Sequence, residues 1–117
     1  MIMKIEAKHL VAKVYCLKGW IELISPQDMV EFFQNELEKA NFNILNYTSN
    51  EFPNNGFTAV WVLAESHLAL HSFAESGWTY FELTSCNPHK SETFKKQITE
   101  SHFNIKLDQK DIEESKI

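Results

Sequence analysis

Short apolar runs separated by turn-forming residues divide the first part of the chain into a strand and a helix. Residues 9–16 are rich in β-forming side chains that partly alternate with polar ones, so we predict a first strand that ends at Gly19. Ser25, Pro26 and Asp28 provide an N-cap, a proline at the first helical position and an acid in the first turn. Apolar side chains then recur at helical spacing, at Met29, Phe32, Phe33, Leu37 and Ala40. This stripe predicts a helix that packs against a sheet.

Strand patterns dominate the middle of the chain. Residues 42–48 predict a short second strand, and residues 50–56 contain the proline and the paired asparagines of a loop. Residues 57–63 form a nearly continuous apolar run, which indicates a strand buried on both faces. Further strand-like runs cover residues 68–73 and 78–85. The middle of the chain is therefore mostly sheet.

The last third predicts a second helix, a short strand and a tail. Asn87 and Pro88 mark the start of a helix that continues to about residue 101, since asparagine and proline favour the N-cap and first helical positions. Its sparse apolar face comprises Phe94 and Ile98. Residues 103–107 predict a last strand. Residues 108–117 are charged and aperiodic, so we expect a mobile or loosely attached tail.

This order of elements predicts an α+β fold. We expect a two-layer sandwich, in which a mainly antiparallel sheet has helices on one face. Residues 1–107 would form a single domain, because chains of this length commonly fold as one unit. Few elements are left to cover the other face of the sheet, and that uncovered face predicts a dimer.

Composition fits a compact globular protein and excludes several function classes. Hydrophobic residues make up 44% of the chain, which is enough for a packed core. The longest apolar runs, such as residues 59–64, are far shorter than the roughly 20 residues that cross a bilayer. The first residues show no signal-peptide pattern, so we predict a cytoplasmic protein. A net charge of −5 without a basic cluster argues against nucleic acid as a partner.

The sequence Glu65-Ser66-His67, followed by His71 and Cys86, combines groups that can react with one another. The Ser66 hydroxyl can attack the carbonyl carbon that precedes it, in an N-to-O acyl shift that gives an ester. Elimination and hydrolysis would leave a ketone at the new N-terminus, which can form a Schiff base with an amine and act as an electron sink. His71 could assist the proton transfers, and the Cys86 thiol could return a proton to carbon.

Strand alternation places a condition on this chemistry. Ser66 and His71 are five positions apart, so strict alternation would put them on opposite faces of the sheet. We therefore expect Ser66 to lie in a turn before the strand.

The other thiol and the histidines have plainer interpretations. We expect Cys16 and Cys86 to be free thiols, with Cys16 in a packing role. His67 and His71 lie four residues apart, but no third ligand stands at a useful spacing. The sequence therefore predicts no metal site.

The reactive residues resemble the proenzyme of S-adenosylmethionine decarboxylase, in its small bacterial and archaeal form. The resemblance covers most of the chain, from His9-Leu10-Val11-Ala12 to Cys86. It implies self-cleavage between Glu65 and Ser66, conversion of Ser66 into a pyruvoyl cofactor, and decarboxylation of S-adenosylmethionine for spermidine synthesis. It also implies that His71 acts in processing, that Cys86 is the proton donor, and that cleaved protomers form a homodimer.

Three further positions match residues of the family. Thr58 stands where a serine helps processing, Phe52 matches an aromatic that stacks on adenine, and Glu75 matches a carboxylate that binds the ribose hydroxyls. The family typically shows His-Thr-Trp-Pro-Glu, where this chain has His71-Ser72-Phe73-Ala74-Glu75, and Asn87 stands where a glycine is common. These departures affect the identity of the substrate more than the chemistry.

Two other functions stay open from the sequence. The first keeps the pyruvoyl mechanism and changes the substrate to ornithine or arginine. The second is a regulatory paralogue that does not process itself and binds an active partner chain. The presence of Ser66, His71 and Cys86 together argues against this second alternative.

Overall fold

Antiparallel strands and two helices make up the part of the protein that the computed structural model describes, residues 13–22, 25–64, 66–109 and 111–116. In chain order the elements are β1 (Lys13–Ile21), α1 (Pro26–Lys39), β2 (Ile44–Glu51), β3 (Phe57–Leu63), β4 (Ser66–Phe73), β5 (Trp78–Ser85), α2 (Pro88–Thr99), β6 (Ile105–Leu107) and β7 (Glu113–Lys116). The strands lie side by side in the order β2-β3-β4-β5-β1-β6, and β7 also pairs with β1. Each of these pairs is antiparallel.

One face of the sheet holds the core. Successive side chains of a strand point to opposite faces, and in β3 the buried ones are Phe57, Ala59, Trp61 and Leu63. Both helices cover this face, because the ring centroid of Phe33 in α1 lies 5.6 Å from that of Phe81 in β5 and 6.3 Å from that of Phe94 in α2. The fold is therefore α+β, with an antiparallel sheet and its helices on one face, as the sequence predicted.

The two helices begin where their sequence signals lie. The α1 stripe buries Met29, Phe33 and Leu37 completely. The Asn87 side chain caps α2 by accepting a hydrogen bond from the Lys90 N–H at 2.9 Å. Both predicted helices are confirmed. In the described ranges, neither is long and apolar enough to span a membrane.

The opposite face of the sheet, called here the uncovered face, has no element packed on it among the described residues. It presents the intervening side chains of the strands, most of them half-buried. Val62 and Phe73 on this face are 43% and 50% exposed. The face is therefore partly apolar and open.

Two predictions about the strands are wrong. The β3 strand is buried on one face only, because Thr58 and Val60 point to the uncovered face and are half-buried. Gly19 lies inside β1 rather than at its end, paired with Phe81. A Cβ at Gly19 would lie 2.7 Å from the Lys106 carbonyl oxygen and 2.9 Å from Cζ of Phe81. Glycine at this position allows β6 to approach β1 closely.

At the two ends of the chain, one part of the prediction lies outside the described residues and another differs from the structure. The first strand covers Lys13–Ile21, and residues 9–12 of the predicted strand lie outside the described residues. The segment expected to be a loosely attached tail contains β7, whose backbone pairs with β1. Lys13 Nζ also approaches Glu114 Oε1 at 3.8 Å. Backbone pairing attaches this charged segment although it has no hydrophobic pattern.

The two N-caps should contribute differently to stability. Asn87→Ala removes the side-chain acceptor of α2, and we expect a loss of about 1 kcal/mol in the free energy of unfolding. Ser25→Ala is the matched control, because Ser25 holds the N-cap position of α1 without a side-chain cap hydrogen bond. Urea unfolding of both variants in a Ser66→Ala background, which keeps the chain in one piece, measures the difference. Equal losses would contradict the assignment of the caps.

Candidate functional site

A two-residue connection between β3 and β4 places Ser66 at one end of the central strands, called here the Ser66 end of the sheet. Leu63 pairs with Ser66, so residues 64 and 65 alone connect the strands. The Ala64 N–H donates to the Asn43 carbonyl at 2.9 Å, which ties the turn to the segment before β2. Ser66 is half-buried, and Glu65 lies outside the described residues.

Ser66 is the first residue of β4 rather than part of a turn before it, so the expectation is wrong: the strand begins two residues earlier than the predicted run of residues 68–73. The ladder continues to Leu63 and Ser66 because a two-residue connection is sufficient for a tight hairpin. Ser66 consequently shares the face of the buried residues Leu68 and Leu70, and His71 points to the uncovered face.

Cys86 also lies at the Ser66 end of the sheet. The antiparallel pairing of β4 and β5 places the start of β4 beside the end of β5, and Cys86 follows that end. Its thiol is free and exposed. The Ser85 hydroxyl accepts a hydrogen bond from the Asn87 N–H at 2.9 Å and can donate to the Asn87 carbonyl at 3.3 Å. These bonds fix the backbone on both sides of Cys86.

Thr58 and His71 form a second cluster on the uncovered face. They are cross-strand partners in β3 and β4, and Thr58 Oγ1 lies 3.3 Å from His71 Nδ1. Tyr80 of β5 pairs with His71 from the other side, and its ring stacks on the imidazole with a centroid distance of 6.4 Å and an angle of 22°. The imidazole thus lies between a hydroxyl and an aromatic ring.

A cavity of about 580 Å³ opens beside Thr58. Its walls include Phe52 and Phe73, which are 46% and 50% exposed, and the carboxylate of Glu75. The Phe52 N–H donates to the Gly56 carbonyl at 2.8 Å, which holds the loop that presents the ring. The cavity combines aromatic walls with an acid and adjoins the hydroxyl and imidazole pair.

The structure brings the predicted site residues together in two groups rather than one. One group comprises Ser66 and Cys86, and the other comprises Thr58, His71, Phe52 and Glu75. Ser66 and His71 are separated by about 17 Å, since a strand rises about 3.3 Å per residue. Side chains this far apart cannot exchange a proton directly. Within one protomer, the two groups do not form a single site.

Known proteins match this chain in sequence. A family described as S-adenosylmethionine decarboxylase matches residues 8–111. The chain belongs to the S-adenosylmethionine decarboxylase family. A proenzyme of S-adenosylmethionine decarboxylase from Fervidobacterium nodosum is 30% identical over 105 residues, which cover 85% of this chain and 74% of that protein. One from Archaeoglobus fulgidus is 28% identical over 83 residues, covering 70% and 72%. The resemblance found in the sequence is confirmed.

A solved member of the same family shares the fold. The crystal structure of the adenosylmethionine decarboxylase from Aquifex aeolicus VF5 matches with a TM-score of 0.60, covering 88% of this chain and 93% of that one. The two sequences are 18% identical over the match. This likeness supports the α+β architecture and leaves the roles of individual residues to the geometry of this chain.

The uncovered face of this S-adenosylmethionine decarboxylase relative also holds groups that the sequence motif did not indicate. Cys16 Sγ lies 3.8 Å from Glu82 Oε1 and 3.9 Å from Thr84 Oγ1. Burial raises the pKa of the Cys16 thiol, and the Glu82 carboxylate adds to the rise. Cys16 therefore stays protonated, in keeping with a packing role. The sequence did carry one signal for the groups on this face. In β5, the less buried residues Trp78, Tyr80, Glu82 and Thr84 alternate with more deeply buried ones.

Proposed function

We propose that this protein is a pyruvoyl-dependent decarboxylase of S-adenosylmethionine, made as a proenzyme that cleaves itself between Glu65 and Ser66. Its product would supply aminopropyl groups for spermidine synthesis. The observation that carries the proposal is the position of Ser66, which is the first residue of β4 and lies at the same end of the sheet as Cys86. Membership of the S-adenosylmethionine decarboxylase family supports the substrate.

The turn between β3 and β4 suits a cleavage site. A cut there would sever only a two-residue connection, because β3 also pairs with β2 and β4 also pairs with β5. The hydrogen bond from Ala64 to Asn43 would still hold the new C-terminal segment. New termini would therefore form without opening the core.

Self-cleavage begins with the hydroxyl of Ser66. Its Oγ attacks the Glu65 carbonyl carbon, the peptide bond breaks, and a proton passes to the freed amine, which leaves an ester. Removal of the Ser66 α-proton then breaks the Cβ–Oγ bond and releases the new C-terminal carboxylate of Glu65. Hydrolysis of the remaining enamine releases ammonia and leaves the ketone. Thr58 and His71 are suited to these proton transfers, because their polar atoms already lie 3.3 Å apart.

Cys86 is suited to return the proton after decarboxylation. A pyruvoyl carbonyl supplies an electron sink for the bond to the departing carboxylate. Cys86 is exposed at the Ser66 end of the sheet, and the hydrogen bonds between Ser85 and Asn87 hold its backbone. A thiol presented from a fixed direction delivers its proton to one face of the reacting carbon.

The cavity favours a substrate that contains adenosine. Phe52 and Phe73 offer flat apolar surfaces for adenine, and such aromatic contacts are worth about 0.5–1.5 kcal/mol each. The Glu75 carboxylate can accept hydrogen bonds from the ribose hydroxyls. Ornithine and arginine have neither an aromatic ring system nor a diol, so they would leave these walls unpaired. The geometry thus favours S-adenosylmethionine over both alternatives.

We also propose that the active form is a homodimer that packs through the uncovered face. The two protomers would pack with their uncovered faces together, about a two-fold axis that runs across the strands. This axis would place the Ser66 end of one protomer against the His71 end of the other. Each protomer presents both ends, so two complete sites would form. Val62 lies near the Ser66 end of the sheet and Phe73 near the His71 end. The same packing would cover both exposed side chains.

Self-cleavage should be visible in the intact mass of the denatured protein. We expect two fragments split between Glu65 and Ser66, the second with a pyruvoyl terminus. Ser66→Ala removes the attacking hydroxyl, and we expect it to yield a single folded chain near 13.6 kDa. Ser76→Ala, in the next hairpin turn, is the matched serine control and should still be cut. Cleavage of the Ser66→Ala chain would refute the site, and a persistently uncut unaltered chain would favour the regulatory paralogue.

Loss of Cys86 should separate processing from turnover. We expect Cys86→Ala to cleave itself normally and to release carbon dioxide from carboxyl-labelled S-adenosylmethionine about 100-fold more slowly, since a positioned proton donor contributes at least that much. Cys16→Ala is the matched control and should keep turnover near normal. Near-normal turnover of Cys86→Ala would remove the proton-donor role. Release from labelled ornithine or arginine instead would change the substrate.

A shared site predicts complementation between two inactive chains. Ser66→Ala and His71→Ala should each fail to cleave alone. Expressed together with different tags, they can form a mixed dimer in which the His71→Ala chain keeps its serine and receives an intact histidine from its partner. We expect the His71→Ala chain to be cut only in this mixture, as read by intact mass. No cut in a mixed dimer verified by its tags would contradict the shared site.

A further inference from the structure

The His71 ring is contacted on two sides, and only one contact belongs to the groups assigned above. On one side, Nδ1 lies 3.3 Å from Thr58 Oγ1. On the other, the Tyr80 ring lies nearly parallel, with a centroid distance of 6.4 Å and an angle of 22°. We propose that Tyr80 is a positioning residue that holds the His71 imidazole in the orientation required for self-cleavage. The inference rests on the proposed function, because it assigns His71 to processing.

The register of the sheet sets this contact. Thr58 is the cross-strand partner of His71 in β3, and Tyr80 is its partner in β5. The three side chains therefore form one row across three strands on the uncovered face. Directly opposed residues have Cβ atoms only about 4.5–5.5 Å apart, so long side chains in such a row contact one another. The stack on His71 requires no unusual backbone geometry.

Trp20 extends the row to a fourth strand and holds Tyr80. It is the cross-strand partner of Tyr80 in β1, and the two rings meet edge to face at 5.2 Å and 60°. The Trp20 ring also lies 5.9 Å from that of Phe73, on the wall of the cavity. Tyr80 cannot turn away from His71 without losing its contact with Trp20. The tyrosine ring is thus held from the side opposite to the imidazole.

Ring orientation matters because the two imidazole nitrogens have distinct roles in proton transfer. Nδ1 faces Thr58, and the other nitrogen, Nε2, has no hydrogen-bond partner in the described part of the chain. In the proposed homodimer, Nε2 would therefore be available for proton transfer at the Ser66 peptide of the partner. With a centroid distance of 6.4 Å, the two rings lie within the range of about 4.5–7 Å that is typical of aromatic pairs. This contact favours the nearly parallel arrangement of the rings, in which Nδ1 faces Thr58.

The ring of Tyr80, rather than its hydroxyl, provides this positioning. Burial raises the pKa of Tyr80 to about 12, and the negative charges of Glu82 and Asp108 add to the rise. A phenol with such a pKa stays protonated at neutral pH. The phenol therefore carries no negative charge that could take up a proton in processing. Because the contact with His71 is made by the ring, we expect phenylalanine to replace tyrosine.

Self-cleavage rates of matched variants test the proposal. We expect Tyr80→Phe to cleave within threefold of the unaltered chain, and Tyr80→Leu to cleave about tenfold more slowly, a part of what a positioned acid or base contributes. Tyr80→Met, whose flexible unbranched side chain can fill the space differently, covers the case in which the leucine variant fails to fold. Trp78→Leu, on the same strand and face, removes a ring that does not contact His71 and should cleave normally. Normal cleavage by folded Tyr80→Leu and Tyr80→Met would overturn the proposal.

A second readout separates this inference from the proposed function. In uncut Ser66→Ala protein, the ¹⁵N shifts of the His71 ring report which nitrogen carries the proton. We expect one dominant tautomer with Tyr80 or Tyr80→Phe, and averaged tautomers with Tyr80→Leu. If the unaltered chain never cleaves, the proposed function fails while these shifts still decide whether Tyr80 positions the ring. Identical His71 shifts in the Tyr80→Leu protein would overturn the positioning role.

Discussion

The alternation of side chains across an antiparallel sheet is the constraint on which the rest of this structure depends. Each central strand buries one row of side chains against α1 and α2, and apolar burial of this kind is the main stabilising term in folding. A reactive polar group placed in that row would lose its contacts with water and with substrate. The candidate groups therefore lie at the start of a strand, after the end of one, or on the uncovered face.

The same constraint accounts for the division of the site. Ser66 and His71 belong to one strand, but an odd separation puts them on opposite faces and the strand rise puts them at opposite ends. A paired strand cannot bend enough to bring them together while its neighbours hold the register. In the proposed homodimer, a second copy of the chain would supply the missing half. The proposed chemistry and the proposed dimer thus rest on one geometric fact.

Local signals explain which parts of the fold could be predicted. Both helices carry their caps and stripes within a few residues, and β3 and β5 have the bounds that their apolar runs indicate. Gly19 misled the prediction, because a glycine inside a strand resembles a break when the approaching β6 cannot be seen. The β7 strand was missed because it is attached by backbone pairing at an edge, without a hydrophobic pattern.

The sequence alone predicted the candidate constellation of Ser66, His71 and Cys86 and determined the family to which the chain belongs, because both depend on residue types at short spacing. The tertiary structure decided which of these residues share an end of the sheet. It also placed Tyr80 and Trp20 in one row with His71. Strand register is set by hydrogen bonds between segments far apart in the chain, so no local pattern records it. The position of Ser66, one residue past the turn, is decided by the same pairing.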